Sequence, residues 1–251
     1  MKSVLNSLMG VYTTFTQLLM GAFDQLGENP DEIIRHLQTP EGKILVPGMA
    51  EFIVEKMRGK KPGKTNVQRL EEWRLFYKKF FRHSLDTDNI RFPQVLEGFD
   101  RLIIVAKGFT LNQIYDILAR HFDCWRYTED LDKAVVHNDR DANQTGTYAV
   151  WLRDRQEADE ENQDLSPRQI WDKKIQGITL AERMLFELKF WDETGEHLDL
   201  KNLTICTGSR RSDGAVPSMY FDSGAQTVDV YWMHPGNRDL HWRTRSVGSS
   251  A

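Results

Sequence analysis

Hydrophobic and polar residues alternate most regularly near the C-terminus, between residues 203 and 247. Two stretches there follow a period of two, which is typical of β-strands that bury one face. Their apolar positions predict an inward set of Val216, Met219, Phe221, Val228, Val230 and Trp232. Turn sequences such as Asp213-Gly214 and Ser223-Gly224 separate the strands. The segment therefore predicts a small, mostly antiparallel sheet.

The residues between these apolar positions, and those in the turns beside them, are polar or aromatic. They predict an outward face made of Ser218, Tyr220, Asp222, Ser223, Asp229, Tyr231, His234, Asn237, Asp239 and His241. Such residue types are frequent in antibody binding surfaces, because they offer adaptable hydrogen bonds at low packing cost. The face is therefore a candidate ligand-binding site, with Tyr220 and Tyr231 as anchors. A plain solvated sheet alternates in the same way, so both interpretations stay open.

A helical period dominates the N-terminal third. Apolar residues recur every three or four positions between residues 3 and 26, and again from Val67 to Arg82. The second helix is expected to bury Leu70, Trp73, Phe76, Tyr77 and Phe80. Residues 1–83 are therefore predicted to form a helical module.

The pattern between these two regions changes from strand to helix and back. Short apolar runs predict strands at 101–106 and 147–152, and Trp125 is expected near the start of another. A capping box, Thr179 to Glu182, opens a predicted helix that runs to Thr194. The predicted fold class is therefore α+β, with the helical module 1–83 followed by a mixed domain at 86–247. That domain ends in the β block 203–247.

Composition narrows the class of protein. The chain has 251 residues, of which 40% are hydrophobic, so a folded core is expected. Two cysteines, Cys124 and Cys206, are too few for a disulfide framework and are predicted to be buried free thiols. No secretory signal or membrane-length apolar run is evident, so the default expected compartment is the cytoplasm.

A basic segment at 56–82 supports an alternative function. Lysine and arginine beside aromatic residues can follow a phosphate backbone, as in an intracellular regulatory or nucleic-acid-associated protein. The aromatic residues lie at core spacing, however, which favours a solvated helix face. The sequence GKKPGKT within it has Arg58 where a phosphate-binding loop needs its first glycine, so an ordinary loop is expected.

Residue types that carry catalysis form no complete motif. The seven histidines include no pair at the spacing of a zinc-binding helix, and no CxxC is present, so neither metal nor cofactor is predicted. A Cys206 nucleophile with His197 or His234 is a third hypothesis that rests on residue types alone. The acidic run at 154–161 is expected to be a solvated surface. The protein is therefore predicted to be non-enzymatic.

The C-terminal segment also carries a family resemblance. Gly208-Ser209-Arg210, the alternating strands, Pro235-Gly236-Asn237 and the closing Trp242-Arg243 lie in the order found in C-type-lectin-like folds of the formylglycine-generating-enzyme type. The segment resembles more closely the variable proteins of bacterial diversity-generating retroelements, which use this fold for display. Thr207 replaces the first glycine of the Gly-Gly-Ser start, and Trp242-Arg243 stands where Gly-Phe-Arg is usual.

What this resemblance implies is limited to the segment that carries it. It covers at most residues 146–247 and implies a C-type-lectin-like fold that displays the outward positions to a protein or other macromolecular ligand. The enzyme's catalytic cysteine pair has no match in Cys124 or Cys206, so the resemblance implies display without oxidase chemistry.

Overall fold

The computed structural model describes residues 64–248 except 88, 89 and 91, together with residues 32, 35, 38 and 39. Apart from those four residues, the predicted helical module up to residue 63, with most of the GKKPGKT loop, lies outside the described residues. The chain divides into two compact units, Met1–Glu72 and Trp73–Ala251. This boundary lies before the predicted one at residue 83. Within the described residues, no helix has the length and apolar character needed to cross a membrane.

The described chain contains both helices and mixed sheets and ends in five successive strands, so the fold class is α+β, as predicted. The helices are α1 (Asn66–Phe76), α2 (Leu111–Leu118), α3 (Leu131–Ala134), α4 (Ala142–Thr145), α5 (Pro167–Asp172) and α6 (Leu180–Thr194). The strands are β1 (Arg101–Val105), β2 (Cys124–Arg126), β3 (His137–Asn138), β4 (Tyr148–Leu152), β5 (Leu203–Ile205), β6 (Ser209–Arg210), β7 (Val216–Asp222), β8 (Thr227–Met233) and β9 (Trp242–Arg243). A π-helical turn (Tyr77–Phe81) follows α1, and a 3-10 turn spans Glu160–Asn162.

The largest described sheet has five strands in the order β2-β8-β7-β5-β9. Its centre is antiparallel, because β7 and β8 form the predicted hairpin and β5 pairs antiparallel with β7. The edge strands β2 and β9 instead pair parallel with their neighbours. Since both arrive through long connections, no tight turn dictates their direction. The other described strands form two antiparallel two-stranded sheets, β1–β4 and β3–β6.

The aromatic residues that the sequence predicted to face inward between Trp73 and Phe80 lie in the core of the second unit. Trp73 donates its indole N–H to the carbonyl of Leu102, and Tyr77 donates its hydroxyl to the carbonyl of Ile104. The same hydroxyl accepts the N–H of Ala106, so it satisfies two backbone groups at the end of β1. Phe76 and Phe80 are also buried. Four of the five predicted inward positions are thus confirmed, whereas Leu70 is only half-buried. The four buried rings are not available to stack on nucleic-acid bases.

Helix α6 begins and ends as its sequence predicts. Thr179 and Glu182 form the capping box, and Gly195 ends the helix at φ +75°. The helix also contributes Arg183 to a fully buried network of charges. Arg183 binds Asp199 and Glu187 at 2.8 and 2.7 Å, and Asp199 also accepts from Arg245 at 2.6 Å. This network ties α6 to the last strand segment of the chain.

The acidic run after β4 is solvated only in part, since Asp154, Glu160 and Glu161 are exposed but Asp159 is buried. Arg153 binds the buried Asp159 at 2.6 Å, and Arg155 binds Glu161 at 2.8 Å. Glu157 accepts hydrogen bonds from backbone N–H groups of a neighbouring loop. The predicted solvated surface is therefore confirmed for the three exposed acids and wrong for Asp159, because composition alone does not reveal its pairing with Arg153.

Candidate functional site

Strand register brings a set of polar and aromatic residues to one face of the five-stranded sheet. Asp229 lies opposite Tyr220 on β7 and opposite Trp125 on β2, and Tyr231 lies opposite Ser218. Because side chains alternate along a strand, all five point to the same side. We call this side the outer face; it also carries Asp222, Leu203, Met233 and Trp242 by the same registers.

Four aromatic side chains form a connected group at the β2 edge of the outer face. The rings of Trp125 and Tyr231 have centroids 4.6 Å apart, and those of Tyr231 and Tyr220 are 6.1 Å apart. Tyr127 lies 6.2 Å from Trp125. Trp125 and Tyr127 are 41% and 68% exposed, whereas the other two are half-buried. Such exposed, contiguous aromatic surface on a folded domain is typical of interaction sites.

A cleft of about 480 Å³ opens beside this group. Of the predicted site residues, it is lined by Tyr220, Asp222, Ser223, Tyr231 and His241. Further lining comes from Leu203, Met233 and Trp242, and from the loop 200–202 before β5. Its volume lies within the range typical of small-ligand pockets. The structure therefore brings five of the ten predicted residues together in one concave site.

The loop on one side of the cleft is fixed by a single carboxylate. Glu157 accepts the backbone N–H of Lys201 at 3.1 Å and that of Asn202 at 3.0 Å. It also accepts the side-chain amide of Asn202 at 2.8 Å. Several charge-assisted hydrogen bonds to one acceptor hold a loop more firmly than its own sequence would. Glu157 therefore positions this wall of the cleft.

Two predicted outward residues are buried. Ser218 is fully buried, and its hydroxyl has no hydrogen-bond partner among the described residues. Asp229 is 4% exposed. The prediction that both are exposed contact residues was wrong. Alternation fixes which side of a sheet a residue occupies, but it does not say whether other parts of the chain cover that side.

The inward set needs two corrections as well. Val216 is buried, but its register opposite Met233 places it on the same side as Ser218 and not with Met219. Trp232 shares a side with Val230 yet is only half-buried, because it lies at the end of the hairpin. Its indole N–H donates to the hydroxyl of Thr128 at 2.8 Å. Met219, Phe221, Val228 and Val230 are buried, as predicted.

The remaining predicted residues lie in the exposed connection between β8 and β9, outside the cleft. His234 accepts the backbone N–H of Gly236, and Asn237 donates its backbone N–H to the carbonyl of His234. Asp239 accepts the backbone N–H of His241 at 2.8 Å. These contacts shape the connection, and Asp239 reaches the site only through His241.

Carboxylates give the outer face its charge. Asp229 accepts a hydrogen bond from the Thr227 hydroxyl at 2.7 Å. Burial raises the pKa of Asp229, and the nearby carboxylate of Asp222 adds to the effect. Burial together with the charge of Asp229 raises the pKa of Tyr220 to about 12, so its hydroxyl stays protonated at neutral pH. The face is therefore acidic and rich in hydroxyl groups.

The other hypotheses from the sequence find weaker support. Cys206 is a fully buried free thiol, and burial raises its pKa, which is the opposite of what a thiolate nucleophile needs. His197 is held by Glu187 at 2.9 Å and stacks on Phe221. Within the part of the chain that the structure describes, no group of three or more potential ligands could hold a metal ion.

Sequence reasoning missed Trp125 and Tyr127 as site residues. Trp125 lies in β2 and Tyr127 directly follows it, far from the β block in sequence, and only the parallel pairing with β8 brings them to the outer face. An exposed Trp-x-Tyr pair in a short predicted strand was the one available signal. Comparison with known proteins adds no further assignment, because no family model, no curated protein and no solved structure matches the chain.

Proposed function

We propose that this protein is a non-enzymatic binding protein whose ligand occupies the cleft on the outer face. The observation that carries the proposal is the conjunction of a cleft of about 480 Å³ with the aromatic pair Tyr220 and Tyr231. Tyrosine provides a large contact area with little loss of side-chain entropy, which suits it to anchor a ligand. The half-buried state of both rings also limits the reorganisation that binding would require.

The display of variable residues, expected from the resemblance to retroelement variable proteins, is part of this proposal. The positions available for diversification are then the exposed or half-exposed lining residues Tyr220, Asp222, Ser223, Tyr231 and His241. Ser218 and Asp229 would stay constant, because they are buried. A near-copy of the coding segment for 203–247 beside a reverse-transcriptase gene would support this version of the proposal.

The alternative role in nucleic-acid binding has less support. In that hypothesis, lysine and arginine of the segment 56–82 would bind phosphates while aromatic rings stack on the bases. The rings of Trp73, Phe76, Tyr77 and Phe80 are buried, however. Within the described part of that segment, Lys64 pairs with Glu72 and Lys79 pairs with Asp192. The outer face, which does expose aromatic rings, is acidic and would repel a phosphate backbone.

A fragment screen by ligand-observed NMR tests the proposal. The library holds cationic, neutral and anionic members, and hits on the wild-type protein are repeated on a Tyr220→Ala/Tyr231→Ala double variant. We expect hits to lose about 30-fold in affinity, because truncation of aromatic anchors typically costs about 2 kcal/mol or more.

Leu75→Ala is the matched control, since Leu75 is 58% exposed and lies on α1, away from the outer face. Cooperative urea unfolding of each variant verifies that the fold is intact. Hits that bind the double variant as well as the wild type, or a screen without hits, would contradict the proposal.

A further inference from the structure

We propose that the ligand group recognised at the β2 edge of the outer face is an organic cation, the guanidinium of an arginine side chain on a peptide. The inference rests on the proposed binding function and specifies its chemistry. It starts from the juxtaposition of partly exposed aromatic rings with a buried carboxylate that forms no salt bridge with a cation of the described residues. Trp125, Tyr231 and Tyr220 provide the rings, and Asp229 provides the carboxylate.

The register sets this arrangement. Asp229 lies between Trp125 on one neighbouring strand and Tyr220 on the other, with Tyr231 two residues along its own strand. The rings of Trp125 and Tyr231 are in contact at 4.6 Å, and Trp125 remains 41% exposed. The buried carboxylate is therefore flanked by Trp125 and Tyr220, and the rings of Trp125 and Tyr231 form an aromatic platform that is partly open to solvent.

Charge complementarity points to a cation. Within the described residues, the hydrogen bond to Asp229 comes from the neutral hydroxyl of Thr227. Another carboxylate, Asp222, adds to the raised pKa of Asp229, and one oxygen of Asp222 accepts backbone N–H groups in the β7–β8 turn. Aromatic ring faces are also negative, so the platform and the carboxylate attract the same kind of group.

The geometry favours guanidinium over ammonium. Guanidinium is planar, weakly hydrated and stacks on aromatic rings, whereas ammonium is compact and strongly hydrated. The protein already uses this contact elsewhere. Arg126 lies 4.3 Å from the ring centroid of Tyr115, and Arg211 lies 5.1 Å from that of Trp232. Trp125 and Tyr231 offer exposed ring surface for the same contact without an arginine of the described chain upon it.

The cleft also has a positive charge, which lies away from the proposed guanidinium site. Lys201 lines the cleft and is exposed, but it lies on the loop before β5 and not beside β2. A peptide would therefore place its arginine over Trp125 and Tyr231, while the rest of the segment extends along the cleft towards Trp242. An acidic residue of the same peptide could form a salt bridge with Lys201.

Paired peptides test this inference. Acetyl-Gly-Arg-Gly-amide is compared with the same peptide containing citrulline, which has nearly the same shape but no charge. Binding is followed by tryptophan fluorescence and ligand-observed NMR at low salt. We expect the arginine peptide to bind about tenfold more tightly, the size expected for a partly desolvated contact of a cation with an aromatic ring and a carboxylate.

Asp229→Asn should bring the two affinities to within about twofold of each other, because it removes the charge and keeps the shape and the acceptor for Thr227. Trp125→Leu should weaken the arginine peptide about tenfold, and Trp125→Phe should recover part of the loss. Glu97→Gln removes an exposed carboxylate outside the outer face and is the matched control.

The other possible results distinguish failure of the cation inference from failure of the proposed binding function. Equal binding of arginine and citrulline peptides, with both lost in the Tyr220→Ala/Tyr231→Ala variant, overturns the cation inference and leaves the binding function standing. An arginine preference that survives Asp229→Asn also overturns it, as does an absence of binding by either peptide. Failure of the binding function itself is recognised separately, by a fragment screen without hits in the cleft.

Discussion

Two buried aspartates on opposite sides of the central sheet have contrasting surroundings. Asp199 accepts hydrogen bonds from Arg183 at 2.8 and 3.0 Å, from Arg245 at 2.6 Å and from the Thr204 hydroxyl. Among the described residues, Asp229 accepts a side-chain hydrogen bond from the Thr227 hydroxyl, and the carboxylate of Asp222 adds to its raised pKa. The first carboxylate is surrounded by cations, and the second by aromatic rings.

This difference separates a structural site from a candidate binding site. Removing charges from water costs free energy, which the network around Asp199 recovers through several short contacts between opposite charges. The outer face offsets less of this desolvation cost, so the ionised form of Asp229 destabilises the folded state. A group whose surroundings disfavour its charge, beside exposed aromatic rings and a cleft, is the kind of feature that marks functional sites.

The largest effect is expected from Asp199→Asn. The substitution removes the anion shared by Arg183 and Arg245 and leaves buried guanidinium groups short of a partner, so the free energy of unfolding should fall by about 3–5 kcal/mol. Urea unfolding followed by tryptophan fluorescence measures it. Asp154→Asn, at a partly exposed pair with Arg101, is the control and should cost less than about 1 kcal/mol. Equal losses in the two variants would show that the buried network is no more important than a surface pair.

Local sequence patterns predicted the elements on both sides of this comparison. The capping box at Thr179 and the glycine at 195 define α6, since both act through hydrogen bonds and backbone angles within a few residues. Alternation predicted the β7–β8 hairpin and most of its buried side. These features depend on neighbours in sequence, so the sequence is sufficient to predict them.

The partners of the two aspartates could not be predicted in this way. Arg245 reaches Asp199, and Trp125 reaches Asp229, only through the tertiary fold. The burial of Ser218 could not be predicted either, because alternation gives the side of the sheet and not the degree of burial there. Alternation therefore located the candidate site on the correct side of the sheet, but it did not define the limits of the cleft or the aromatic residues from β2.

A smaller effect of opposite sign is expected at the covered end of the outer face. The Ser218 hydroxyl is buried without a hydrogen-bond partner among the described residues, which costs free energy in the folded state. Ser218→Ala should therefore raise the free energy of unfolding by about 1 kcal/mol. Ser223→Ala, in the exposed turn, is the control and should change it by less than about 0.5 kcal/mol. A clear loss of stability in Ser218→Ala would indicate that its hydroxyl is paired.

The smallest change in stability, and the most direct test of the comparison, is expected from Asp229→Asn. Its folded-state pKa is raised above the usual value of about 3.9, so the ionised form disfavours folding at pH values above the folded pKa. Asparagine removes that charge, and at pH 7 the free energy of unfolding should rise by about 0.5 kcal/mol. Below about pH 3.9 the carboxyl is protonated in both folded and unfolded states, so the gain should disappear there. Urea unfolding of the wild type and of Asp229→Asn at pH 7 and at pH 3.5 measures the difference. Asp199→Asn should change the free energy of unfolding in the opposite direction at pH 7. A loss of stability in Asp229→Asn at pH 7 would mean that the outer face stabilises its carboxylate, and the contrast with Asp199 would then be one of degree only.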